Sequence, residues 1–313
     1  MVACCRLPPP LRIAPLRFYC QPAPSPRPTV RALLLTTTQR LEQEDVPEPE
    51  LTARYLLSHV LGGSLHSHHE RHLDSCLASE QEQELQRLVL CRLARMPLQY
   101  LLGSWDFHDI SLELRPPVFI PRPETEQLVN EVLRLLPPGP RHLLEVGPGS
   151  GALGLALLSA RPDLTLTAVE RSGAAVELCR RNAELLGLEE RVTWLHTRVE
   201  TLQLAETFDA VVSNPPYVLR KDLAKLAPEI HVYEDLRALD GGAEGLDVIL
   251  PIMELAENVL KDPDHGFVAL EVDPCHPHIL PPKLDKFYAA EVIKDFRDKD
   301  RFMVMRLKQE GGA

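Results

Sequence analysis

Residues 141–152 read Arg141-His142-Leu143-Leu144-Glu145-Val146-Gly147-Pro148-Gly149-Ser150-Gly151-Ala152, and this stretch decides the fold. A short apolar run, Leu143–Val146, leads into a loop with three glycines, and a helical pattern, Ala152–Ala160, follows at once. Glycine lets a chain turn sharply and brings backbone amides close to a ligand, with no Cβ in the way. The helix that follows offers unpaired N–H groups and partial positive charge at its start. Further apolar runs come downstream at Leu164–Val169, Val192–His196, Phe208–Val212 and Phe267–Val272, with helical stretches at Ala174–Leu186 and Leu246–Leu260. Strands that alternate with helices imply βαβ units and a parallel sheet. Two final runs, Tyr288–Ile293 and Arg301–Leu307, have no helix between them and are expected to pair antiparallel at one edge.

About nineteen residues past the loop the second strand ends at Glu170, where an acidic side chain can accept both ribose hydroxyls of a nucleoside. The loop is GxGxG behind an acidic residue, without the GxGxxG spacing of dinucleotide binders. It resembles motif I of the Rossmann-like methyltransferases, which makes S-adenosylmethionine the expected cofactor. Gly147, Pro148, Gly149, Ser150, Gly151, Glu170 and Asn214 are the expected cofactor contacts.

At the end of the Phe208–Val212 strand stands Ser213-Asn214-Pro215-Pro216-Tyr217. Ligands of open α/β sheets lie beyond the carboxyl ends of strands, so the position suits a reaction centre. The residue types suit a planar nitrogen, whose delocalised lone pair attacks poorly unless its hydrogens are held. Asn214 can accept one N–H through its side-chain oxygen and the Pro215 carbonyl can accept another. Pro216 fixes the turn, and Tyr217 can stack on the planar group. Asn214, Pro215 and Tyr217 are therefore the catalytic candidates, and with Pro216 they form the expected substrate site. The gain would come from orientation and exclusion of water, with no strong base.

Upstream, Glu48 to Arg95 reads as helical: Leu51, Tyr55, Leu56 and Val60 recur at helical spacing, Gly62-Gly63 stops that helix, and Leu85, Leu88, Val89 and Leu93 form a second stripe. Trp105–Ile120 interleaves apolar and polar residues as a β-hairpin does. The expected organisation is a leader and linker over 1–45, a small helical domain over 46–103, a hairpin connector over 104–120 and a catalytic domain over 121–310. The helix that opens the catalytic domain starts near Glu124 or Thr125.

Charge narrows the partners. Residues 1–41 carry six arginines with no lysine and no acid, so removing six positive charges from a net −11 leaves −17 on residues 42–313. So acidic a body repels a phosphate backbone, which disfavours a broad nucleic-acid face. The Arg-rich, acid-free start fits a mitochondrial transit peptide, although eight prolines between Pro8 and Pro28 are unusual for one. No transmembrane helix is expected. The cysteines show no CxxC spacing, and the histidines at 66, 68, 69 and 72 read as a solvated loop, so no metal is expected.

Three motifs together carry a more particular resemblance: Ile120-Pro121-Arg122-Pro123-Glu124-Thr125-Glu126, the loop Glu145–Gly151, and Asn214–Tyr217. With Arg95–Gly103, Ala227–Ile230 and Ala238–Gly242, they make the chain from about 50 to 307 similar to the PrmC/HemK family, the glutamine N5-methyltransferases of peptide chain release factors. The resemblance implies that a class I release factor inserts the glutamine of its Gly-Gly-Gln tripeptide into the cleft, and with the leader it implies a mitochondrial release factor. It also implies an acidic residue near the adenine just after the third strand, where this chain has Arg198 with Glu200 two residues on. Asn-Pro-Pro-Tyr alone is shared with enzymes that methylate exocyclic amines of RNA or DNA. That activity and an idle binding protein on the same fold are the alternatives.

Overall fold

The computed structural model describes residues 27–63, 73–261 and 265–308. Most of the proposed leader, residues 1–26, and the histidines at 66, 68, 69 and 72 lie outside the described residues.

The helical unit starts earlier than composition suggests. Residues 30–43, assigned above to the leader, form a helix, α1 (Val30–Gln43). The prolines stop at Pro28, and the Thr29 hydroxyl then caps the helix by accepting the Ala32 N–H at 3.3 Å. Val30 and Leu41 are fully buried on its inner face. Among the described residues three more helices belong to the unit: α2 (Pro49–Val60), α3 (Ser79–Leu93) and α4 (Leu98–Leu102). Leu56, Leu57, Leu85, Leu88 and Val89 make their common core. Gly62 ends α2 with φ +70°, and the Gly63 N–H closes onto the Ser58 carbonyl.

The connector is an antiparallel hairpin, β1 (Ser104–Phe107) with β2 (Ile110–Glu113). Helix α5 (Pro123–Leu135) then leads into the main sheet, with Pro123 at the first helical position, where its missing N–H is no loss.

A seven-stranded sheet follows: β3 (Arg141–Val146), β4 (Leu164–Glu170), β5 (Val192–His196), β6 (Ala210–Ser213), β7 (Phe267–Glu271), β8 (Phe287–Lys294) and β9 (Asp300–Leu307), in the order β5-β4-β3-β6-β7-β9-β8. The first five strands are parallel, while β9 enters antiparallel between β7 and β8. This is the expected α/β fold: a Rossmann-like domain of mostly parallel strands with an antiparallel edge, after a helical unit and a hairpin. The period of two sorts the strand residues onto the two faces. Leu143, Leu166, Val212 and Ala269 join the core built on α5 and on helix α6 (Ala152–Ala160). Leu144, Val169, Val211 and Val268 face the other way, onto the long helix Ile249–Val259. The strand order reverses between β3 and β6, which opens a crevice at their carboxyl ends. The glycine loop leaves β3 there, and Asn214 follows β6.

Candidate active site

The crevice is a cavity of about 1080 Å³ including its open mouth. Gly147, Pro148, Gly149, Ser150, Glu170, Asn214 and Pro216 all line it. Gly147 and Gly149 hold φ of +72° and +59°, a backbone region that side chains disfavour. The Gly149 N–H reaches back to Glu170 Oε2 at 3.2 Å, while the Ser172 N–H gives Oε1 a bond of 2.7 Å. Burial raises the Glu170 pKa, and these N–H groups oppose the rise.

Gly151 stands apart from the other glycines. It is no part of the cavity wall; a Cβ there would lie 2.7 Å from Leu155 Cδ1 and 3.2 Å from Cys179 Cβ. Its role is to let α6 pack closely. Pro215 and Tyr217 also lie off the wall. Pro215 is buried behind it. Tyr217 turns its hydroxyl inward to donate to Glu271 Oε1 at 2.8 Å. Its backbone packs against the 241–245 turn: a Cβ on Gly245 would come 2.5 Å from the Tyr217 carbonyl oxygen.

Several residues of the site are not among the contacts expected from the sequence. Glu145, the acidic residue before the glycines, is 2% exposed, and burial pushes its carboxyl up to about 8. One oxygen accepts the Gly154 N–H at 3.2 Å, but Oε2 has no hydrogen-bond partner although the residue borders the cavity. A buried carboxylate oxygen without a donor suits a cationic ligand group. Asn182, on the helix α7 (Gly173–Leu186), ties the hairpin to the loop. It exchanges two bonds with the Glu113 backbone and donates to the Ser150 carbonyl at 2.8 Å.

The cavity roof is the Pro-rich segment before α5. Glu234 holds it from across the cleft, accepting the Ile120 N–H at 3.1 Å and pairing with Arg122 at 2.7 Å, while the Tyr100 hydroxyl bonds the Val118 carbonyl at 2.6 Å. Asn214 Nδ2 donates to the Thr125 hydroxyl at 3.0 Å, which in turn donates to Glu271 Oε2 at 2.7 Å. Glu271 is 1% exposed, and burial raises its pKa against the pull of the bonds it accepts from Thr125 and Tyr217 and of Arg301. Arg198 and Glu200 both border the cavity and pair with each other at 3.1 Å.

Comparison with known proteins places the chain in a family. Residues 32–103 match the PrmC N-terminal domain and residues 125–243 the methyltransferase small domain. The chain is 41% identical over 285 residues to the human "MTRF1L release factor glutamine methyltransferase", covering 85% of this chain and 83% of that protein. The chain belongs to this family. A second member, the "Release factor glutamine methyltransferase" of Deinococcus radiodurans, is 36% identical over 291 residues, 90% of this chain and 99% of that protein. As a family member the chain is a methyltransferase, with S-adenosylmethionine as its methyl donor. Among the described residues no group of His, Cys, Asp and Glu could hold a metal ion, and no helix is long and apolar enough to cross a membrane.

Proposed function

We propose that this chain methylates the side-chain amide nitrogen of the glutamine in the Gly-Gly-Gln tripeptide of a mitochondrial class I release factor. The observation that carries the reading is the state of Asn214. Its NH₂ group is committed to Thr125, and Oδ1 has no donor among the described residues. That oxygen is the acceptor a substrate amide N–H requires.

S-adenosylmethionine supplies an electrophilic methyl group at a sulfonium centre. Glu145 Oε2 would take the ammonium of its methionine portion, the amides of Gly147 to Ser150 its carboxylate end, and Glu170 the ribose hydroxyls. Asn214 Oδ1 and the Pro215 carbonyl would each accept one N–H of the glutamine amide, which aims the nitrogen's lone pair along the transfer axis. Pro216 shapes the turn, and Tyr217, its hydroxyl anchored, backs the site with its ring. Nitrogen bonds to the methyl carbon, the carbon–sulfur bond breaks, and an amide proton passes to solvent, leaving S-adenosylhomocysteine. Orientation supplies the rate, so no strong base is needed.

The helical unit would grip the release factor, supported by its contacts with the segment after Asn214. Arg92 and Arg95 pair with Glu229 at 3.1 and 3.2 Å, and the Tyr233 hydroxyl bonds the Ala94 carbonyl. The net −17 beyond residue 41 argues against nucleic acid as a direct partner, and the Arg-rich start supports mitochondrial import. To test the reading, purified release factor and labelled S-adenosylmethionine are incubated with the protein and with Asn214→Ala, and the label is mapped by mass spectrometry. Label is expected on the Gly-Gly-Gln glutamine, with kcat lower by about 10²–10³-fold in the variant. Label elsewhere, or equal rates, refutes it.

A further inference from the structure

An asparagine amide is nearly symmetric in shape and opposite in polarity at its two ends. Reversed by 180°, Asn214 would present NH₂ to the substrate NH₂, donor against donor, and could hold nothing. Something must therefore choose its orientation, and the chain of bonds behind it does so. An ionised carboxylate has no proton to give, so Glu271 accepts from both hydroxyls that reach it, Thr125 at 2.7 Å and Tyr217 at 2.8 Å. The Thr125 proton is thereby committed, and only its lone pairs remain for Asn214. Asn214 must then offer Nδ2 to Thr125 at 3.0 Å, which turns Oδ1 away from that bond.

We propose that Thr125 and Glu271 are positioning residues that set the polarity of the Asn214 amide, so that its oxygen is the atom presented to the substrate amide. This rests on the methyltransferase reading above and adds to it the device that makes Asn214 directional. Within the cluster every hydrogen bond runs toward Glu271. A proton on Oε2 reverses the run: Glu271 donates to Thr125, Thr125 donates to Asn214 Oδ1, and NH₂ turns toward the substrate. The groups acting on Glu271 are Thr125 and Glu124 from α5, Tyr217 from the segment after β6, and Arg301 from β9. Arg301 is itself held by Asp295 at 3.3 Å. Of these, only Glu124 favours the proton besides burial itself.

Three variants separate orientation from mere support. Glu271→Gln keeps the shape and can donate from its NH₂, so it permits the reversed run. Thr125→Val removes the acceptor that Nδ2 needs, whereas Thr125→Ser retains it. With release factor as substrate, kcat is expected to fall about a hundredfold in Glu271→Gln and Thr125→Val and to stay within about threefold of wild type in Thr125→Ser. Cofactor affinity, read by calorimetry, should hold within about twofold in all three. Wild-type kcat should fall on the acid side of its pH profile, and Glu271→Gln should lack that limb. Wild-type turnover in Thr125→Val, an equal loss in Thr125→Ser, or an acid limb retained in Glu271→Gln would overturn the proposal. A readout independent of substrate is the ¹⁵N–¹H side-chain amide signal of Asn214. It should titrate with pH in wild type and stay fixed in Glu271→Gln; a signal indifferent to both pH and substitution also overturns the proposal. If wild type fails to methylate the release factor while this signal titrates, the substrate assignment falls and the orienting role stands.

Discussion

Gly154→Ala sets a local rule against a tertiary one. Gly154 lies inside α6, where alanine is favoured over glycine by about 1 kcal/mol, so propensity alone forecasts a more stable protein. The structure forecasts the reverse. A Cβ at Gly154 would fall 2.1 Å from Glu145 Oε2 and 2.5 Å from Leu166 Cδ2. Carbon needs about 3.5 Å from such neighbours, so both must retreat by about 1 Å or more. Both are ends of side chains, but each is 2% exposed and enclosed by core, so the carboxylate can retreat only toward the cavity. Overpacking costs about 1–3 kcal/mol. Pulling Glu145 off the Gly154 N–H, a 3.2 Å bond with a buried group, costs about 1–3 kcal/mol more. Less the propensity gain, the net loss is about 1–5 kcal/mol, or a Tm lower by roughly 2–15 °C for a domain of this size. The displaced carboxylate would also intrude where the methionine portion of the cofactor is placed. Thermal unfolding followed by circular dichroism reads the first effect, and calorimetric titration with S-adenosylmethionine reads the second, expected as a Kd higher by at least about tenfold, the equivalent of 1.4 kcal/mol. A Tm equal to or above wild type with unchanged Kd would refute the argument.

Other substitutions test the roof, the buried carboxylate and the departure at Arg198. Glu234→Ala leaves the Ile120 N–H and Arg122 without their shared partner and should destabilise the protein by about 3 kcal/mol, the low end for a buried pair because Arg122 can reach water; thermal unfolding at several pH values checks it. Glu145 keeps its proton up to about 8 when folded, against an ordinary 4.5. The folded state therefore binds the extra proton between these values, and stability falls as pH rises through that window. Glu145→Gln should flatten the slope, and cofactor binding near pH 7 should release protons, visible as a buffer-dependent binding enthalpy. Arg198→Ala removes an exposed ion pair worth about 0–1 kcal/mol, so cofactor Kd should move by less than about fivefold; a larger change would place the Arg198 side chain on the cofactor itself.

The sheet and its order of elements were legible because period-two apolar runs and glycine turns are local signals. Asn214 and the glycine loop were legible for the same reason, since residue type and strand end coincide within a few positions. The contacts that finish the site were not. Glu234 meets Ile120 across 114 residues, and Glu271 meets Thr125 across 146. Each reads locally as an ordinary acid near a turn or a strand end, and only the sheet order brings it to its partner. The type of Tyr217 points to a stacking face, and nothing near it in the sequence points to the Glu271 that holds its hydroxyl. Helix α1 is hidden in the sequence for a different reason. An average over residues 1–41 mixes the prolines, which end at Pro28, with a capped amphipathic segment that has none.

The place of β9 bears on how the enzyme is made. Of the strands in the sheet it is the one furthest along the chain, yet it is wedged between β7 and β8, pairing Phe302 with Glu271 and bringing Arg301 to the Tyr217 ring at 5.9 Å. Synthesis delivers the glycine loop, Asn214, Thr125 and Glu271 first, and chains fold as they emerge. Until residues 300–307 are translated, β7 has an open edge and Glu271 lacks its neighbouring cation. A nascent chain halted before them would hold the parts of a methyltransferase with one fewer group opposing the proton on Glu271, so the last of the sheet's strands to be made is also the one that completes the surroundings of its buried carboxylate.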